Sequence, residues 1–207
     1  MTTLHRLRCL APERLGRQLS SGFWASLARA YTRPPRAYHN LQHVFHVAEW
    51  FSAWHGAWQC PSEVFAAVLF HDAVYVATEG DNEARSAELA RESLAATDLD
   101  VDLVVCLIEA TALSSVPPAR EAGSDLALFI DCDRAVLGAP PDVYARYARA
   151  IAEEYSILPP RVYQAGRRAF LQRTLRAGAP FLTPGMQERL GVQARENLEW
   201  ELGILDS

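Results

Sequence analysis

Three features of the sequence predict an all-α protein. Apolar residues recur at helical spacing along the chain, strand-like alternation never survives for more than a few residues, and no Asn-Gly or Asp-Gly hairpin turn is present. Proline and glycine punctuation then cuts the chain into eight or nine helices, at approximately 12–32, 41–58, 62–75, 82–97, 100–114, 121–137, 141–156, 160–177 and 184–204. The second segment carries His43, Val47, Phe51 and Trp54 on one face, and Phe51, Trp54 and Trp58 read as core aromatics. Pro61-Ser62 opens the third, whose apolar run AAVLFHDAVY reads as a buried helix. Asp81-Asn82 opens the fourth with an acidic first turn, favoured by the helix dipole. The sixth contains a second apolar run, LALFIDCDRAVLG. Pro140-Pro141, Pro159-Pro160 and Thr183-Pro184 sit where the last three helices begin. Those three read as scaffold, with Tyr144, Tyr147 and Ile151 on one stripe and Leu190, Ala194, Leu198 and Leu202 on another. There is no low-complexity linker, internal repeat or composition shift, so residues 1–207 are expected to form a single domain.

Composition narrows the function classes. Half the residues are apolar and 22% are charged, as in soluble globular proteins. The formal charge of −5 predicts no nucleic-acid footprint, since phosphate-backbone binders carry a basic excess. All 20 basic residues are arginine, so a cation that meets a substrate phosphate must be arginine, a metal or a backbone dipole. Cys9, Cys60, Cys106 and Cys132 are widely separated and form neither a zinc-finger spacing nor a disulfide framework. With no signal-like apolar run at the N-terminus and no membrane-length stretch, the expected location is cytoplasmic.

The chemistry is concentrated in three stretches. In AAVLFHDAVY an imidazole and a carboxylate, His71 and Asp72, ride inside an apolar helix. Burying an unpaired carboxylate costs several kcal/mol, and a metal ion offsets that cost; so does an arginine partner or a capping role. Upstream, RAYHNLQHVFHVAEWF holds His39, His43 and His46, and His43 opens the apolar face of its helix. His39 and His43 are four apart and can converge on one ion, but no glutamate lies between them as an HExxH site requires. Downstream, an apolar run delivers Asp131 and Asp133. Aspartate is rarely buried unless paired or coordinating, and a cap or a salt bridge to Arg134 also accounts for these two.

Taken in order, His43, His71-Asp72 and Asp133 resemble the H…HD…D pattern of the HD-domain superfamily of metal-dependent phosphohydrolases. More closely, the chain resembles a bacterial branch of predicted metal-dependent HD phosphohydrolases. That likeness rests on Arg36-Ala37-Tyr38-His39-Asn40-Leu41-Gln42-His43, on Phe70-His71-Asp72, on Asp81-Asn82-Glu83-Ala84-Arg85-Ser86-Ala87, on the Asp-Arg of CDRAVLG and on Ala194-Arg195-Glu196-Asn197-Leu198-Glu199. It runs from about residue 20 to 205. The resemblance implies an all-α HD helical bundle with additional C-terminal helices and metal ligands His43, His71, Asp72 and a late aspartate. Asp133 fits that last position best because it directly precedes an arginine, and Asp131, two residues earlier, lies on another helix face.

The mixed nitrogen and oxygen ligand set suits one divalent ion, Mn, Fe, Zn, Co or Mg, or two such ions, and does not select among them. The implied function is hydrolysis of a nucleotide or another small phosphorylated metabolite, with Asp72, Glu83 and His39 as candidate catalytic groups. Arg36, Tyr38 and Asn82 are candidate substrate contacts, although capping is the simpler role for Asn82. Two rival readings stand beside this one. One is a hydrolase of a signalling nucleotide such as a guanosine polyphosphate; the other is a metal- or nucleotide-binding module without turnover. The sequence does not set an oligomeric state.

Overall fold

The computed structural model describes residues 1–33, 36–112 and 124–206. Among them are eleven α-helices, one 3-10 turn and no strand. The helices are α1 (Thr3–Leu10), α2 (Glu13–Gly16), α3 (Ser21–Ala30), α4 (Leu41–Ala53), α5 (Pro61–Phe70), α6 (Asn82–Leu94), α7 (Val101–Glu109), α8 (Ser124–Arg134), α9 (Pro141–Glu154), α10 (Pro160–Arg176) and α11 (Pro184–Asp206). The 3-10 turn, Ala135–Gly138, follows α8 directly. Contacts divide the chain into two compact units, Met1–Cys132 and Asp133–Ser207. The division falls inside α8, which is a continuous helix through Asp133. No helix among the described residues is long and apolar enough to cross a membrane.

The expected helix at 12–32 is instead two helices, with a further one, α1, ahead of them. The break comes at Ser20, whose backbone is extended and whose hydroxyl accepts from the Phe23 N–H at 3.1 Å. A serine there caps a new helix in place of continuing the old one. The other expected helices are present with shifted ends, most of them shorter, while the last runs on to Asp206; residues 113–114 and 121–123 of two of them lie outside the described residues.

In the first unit α5 is the central element, packed against α4, α6 and α7, while α1 packs on α4 and α6 on α7. Every α5 residue from Ser62 to Phe70 is buried, so the helix has no polar face. Cys60, the residue just before it, provides no side-chain cap. The buried carboxylate of Asp125 on α8 replaces one, accepting from the backbone N–H groups of Gln59 at 2.9 Å and Cys60 at 2.8 Å. Two amide donors at the helix start are thereby satisfied from 65 and 66 residues away.

In the second unit α11 packs against α10 and against the 3-10 turn. A Cβ on Gly138 would meet the Leu190 Cβ at 2.6 Å, so only glycine allows this approach of turn to helix. The buried Asn197 amide seals the junction, donating to the Leu137 and Ala139 carbonyls at 2.8 Å each. Tyr144, Ile151, Ala194 and Leu198 are buried as the scaffold reading expects.

Candidate metal centre

The centre is assembled at the start of α4 and the end of α5. Asn40 caps α4, its side chain accepting from the Gln42 N–H at 2.8 Å and donating back to the Arg36 and Ala37 carbonyls at 3.2 and 3.1 Å. That closed loop delivers His43 into the first turn of α4, on the buried face shared with Val47 and Phe51. At the other side, α5 ends at Phe70 and not near 75; His71 is its C-cap and Asp72 begins the turn beyond. The C-terminal end of a helix favours positive charge, which suits a cation held there.

Three atoms form a tight triangle. His43 Nε2 lies 3.0 Å from His71 Nε2, and Asp72 Oδ2 lies 3.2 Å from the first and 3.1 Å from the second. Both imidazoles are buried, and the Asp72 side chain is 16% exposed. Asp133, half-buried in the last turn of α8, offers a carboxylate oxygen to the same place: ligand atoms of His43, His71 and Asp133 all lie within 4.8 Å of one another. This buried group could hold a metal ion.

The chemistry of the donors supports that reading. His71 Nδ1 donates to the Val68 carbonyl at 3.0 Å, because a carbonyl can only accept. In its neutral form the ring then presents a lone pair at Nε2, aimed at a carboxylate oxygen and a second imidazole nitrogen; in its protonated form Nε2 donates to Asp72. A proton on His43 Nε2 satisfies one edge of this triangle, whereas a cation at its centre would satisfy all three corners at once. Spacing also fits. Ligands about 2.1 Å from an ion lie about 3.0 Å apart at right angles and about 3.4 Å apart at tetrahedral angles. The three edges of 3.0, 3.1 and 3.2 Å sit nearer the right-angled case. Burial alone would raise the Asp72 carboxyl. The charges of His71 and His39 and hydrogen bonds from His43 and His71 outweigh it, holding the group well below the usual carboxylate range.

The other residues singled out in the sequence take varied places. His39 stacks on Tyr75, with ring centroids 4.1 Å apart, and Tyr38 tilts over His43 at 4.7 Å. Both therefore stand beside the triangle. Arg36 is directed at backbone: Nη1 donates to the carbonyls of His39 at 2.9 Å and Asp72 at 2.8 Å, and Nη2 to that of Ala73 at 3.0 Å. Asn82, 8% exposed, is likewise committed to the loop ahead of α6; its amide bonds Val76 N and O at 2.8 and 2.9 Å and the Glu79 carbonyl at 3.2 Å. Glu83 is half-buried in the first turn of α6 and has no hydrogen bond or ion pair among the described residues. Asp131 is fully buried on α8 and is not in the converging group with Asp133. His46 faces outward and bonds Gln42 at 2.9 Å.

Sequence reasoning missed three contributors. Ser86 Oγ accepts from Val74 N at 3.0 Å and donates to Val74 O at 3.1 Å, Tyr31 donates to the Leu69 carbonyl at 3.0 Å, and Tyr75 supplies the ring under His39. Serine at a helical position after Asn82 was a visible signal; the reach of Tyr31 across 38 residues was not. Comparison with known proteins finds no matching family, no matching curated protein and no matching solved structure.

Proposed function

We propose that this protein is a divalent-metal-dependent phosphohydrolase with an HD-type helical core, acting on a nucleotide or another small phosphorylated molecule. The observation that carries the reading is the triangle of His43 Nε2, His71 Nε2 and Asp72 Oδ2, with Asp133 converging on it. These four residues would hold the ion. A bound divalent ion supplies Lewis acidity toward a phosphoryl oxygen and lowers the pKa of water.

The chain's own residues do the rest. The Val68 carbonyl fixes the His71 ring and its tautomer, a support common to metal-binding histidines. Asp72 stays ionised across the neutral range and brings negative charge to the pair of imidazoles. His39 and Glu83 are the groups able to carry protons: the first is held on the Tyr75 ring, the second has no internal partner to occupy it. Tyr38 offers an aromatic edge beside His43 for a substrate to rest on. The acidic net charge of −5 favours a small substrate over a nucleic-acid backbone.

The test is metal content by plasma mass spectrometry for the wild type and Asp72→Ala, followed by phosphate release with Mn²⁺ from p-nitrophenyl phosphate and a set of nucleotides. About one metal per chain, lost in the variant, with turnover of at least one substrate, is the expected result. A ratio near two brings in His39 or Glu83 as further ligands. Metal binding with no turnover replaces the hydrolase by a binding module, and no metal after reconstitution removes the centre altogether.

A further inference from the structure

The polypeptide leaving α5 is fastened carbonyl by carbonyl. The Ala67 carbonyl accepts from His71 N at 2.9 Å, Val68 from His71 Nδ1 at 3.0 Å, Leu69 from the Tyr31 hydroxyl at 3.0 Å and Phe70 from Ala73 N at 2.8 Å. The last carbonyls of a helix lack intrahelical partners and need others, and here those of Asp72 and Ala73, just beyond the helix, go to one guanidinium. Arg36 takes both, at 2.8 and 3.0 Å, and with the same Nη1 takes the His39 carbonyl at 2.9 Å. Its cationic carbon lies 5.1 Å from the Tyr31 ring centre and 5.8 Å from that of Tyr75. Tyr31 holds Leu69 and Tyr75 carries His39, so both rings confine the guanidinium between the same two segments.

We propose that Arg36 is a positioning residue of the metal centre. It sets the turn bearing His71 and Asp72 against the loop that leads through His39 into His43, and in doing so fixes the distances within the triangle. The inference rests on the metal-centre reading above. It replaces the phosphate-gripping role that the sequence suggests for Arg36, because the guanidinium is turned to three backbone oxygens. The planar fork reaches these oxygens from two nitrogens at once, whereas lysine carries all its donors on one nitrogen and cannot reproduce that spread.

The experiment measures the Mn²⁺ dissociation constant by electron paramagnetic resonance, and the visible spectrum of the Co²⁺-loaded protein, with no substrate present. The variants are Arg36→Lys, Arg36→Ala, Asp72→Ala and Arg14→Ala. Arg14 binds Glu63 and Asp98 near the opposite end of α5, so it controls for general loss of stability. Removing support behind a metal ligand weakens binding about 10- to 100-fold. Arg36→Lys is expected to show that loss and an altered Co²⁺ spectrum, while Arg14→Ala binds as the wild type does. Should Arg36→Ala fail to fold, Arg36→Lys decides alone. Wild-type affinity and spectrum in Arg36→Lys, with binding lost in Asp72→Ala, overturns this inference and leaves the metal centre standing. Wild-type affinity in Asp72→Ala overturns both.

Discussion

Two buried polar clusters, one in each unit, each set basic side chains against a carboxylate and come to opposite ends. In the second unit Arg167 and Glu201, each 7% exposed, form a two-pronged ion pair: Nε to Oε1 at 2.7 Å and Nη2 to Oε2 at 2.9 Å. Tyr144 donates to Glu201, Tyr147 accepts from Arg167 Nη1 at 3.2 Å, and the guanidinium rests on the Tyr147 and Phe170 rings. Positive meets negative and every named donor meets an acceptor. In the first unit His43, His71 and Asp72 bring two ring nitrogens and a carboxylate oxygen to about 3 Å from one another, with the His71 proton already directed to Val68. Burial of polar groups alone therefore does not make a candidate site; donors left with room for a further partner do. The closed cluster completes itself, whereas the open one has the donors to take a cation.

Breaking the closed cluster should have the largest effect on stability. Glu201→Ala strands a buried guanidinium and should cost about 3–5 kcal/mol, read from urea unfolding midpoints. Replacing Arg167 and Glu201 together by Met and Leu should recover most of that loss; a double variant no better than the single would mean the pair acts through more than its own charges. Tyr144→Phe should cost less, about 1.5–3 kcal/mol for one hydrogen bond to a carboxylate.

The Tyr144 variant also carries a pH signature. Burial, then the charge of Glu201 and the bond to it, raise the Tyr144 phenol far above its ordinary value. A raised folded-state value means stability is fully present below the unfolded value of about 10 and declines as pH rises beyond it. Part of the alkaline loss of stability in the wild type should therefore vanish in Tyr144→Phe; identical alkaline limbs would refute the assignment.

The smallest effect is expected at the open cluster. With chelator present at neutral pH, Asp72→Asn should lower unfolding free energy by about 1 kcal/mol, because the attraction of the carboxylate to the imidazoles is lost and an isosteric amide that can still hydrogen-bond a ring nitrogen takes its place. A loss as large as that of Glu201→Ala would erase the distinction between the clusters.

Much of this was legible in the sequence, for local reasons. Helical periodicity and proline starts located α4 to α11, since those signals act within one turn. The histidines and aspartates of the centre stood out because apolar runs carried them inward. Two errors of detail, the break at Ser20 and the end of α5 at Phe70, are helix-end features. Ser20 carried a cap signal that the apolar periodicity across 12–32 overrode, and nothing local to His71 marks it as a C-cap. The capping of α5 by Asp125 and the roles of Arg36, Asn82 and Ser86 were out of reach, because side chains bonding distant backbone leave no periodic trace.

The sequence by itself determined that the chain is all-helical and which imidazoles and carboxylates are carried into its interior, because periodicity and burial are properties of neighbouring residues. Only the tertiary structure decided which of those groups meet. Asp133 and not Asp131 joins the two histidines, and Arg36 turns to three carbonyls and not outward. Those outcomes depend on the facing of helices and the end of one of them, and such distances are set by packing across the chain rather than along it.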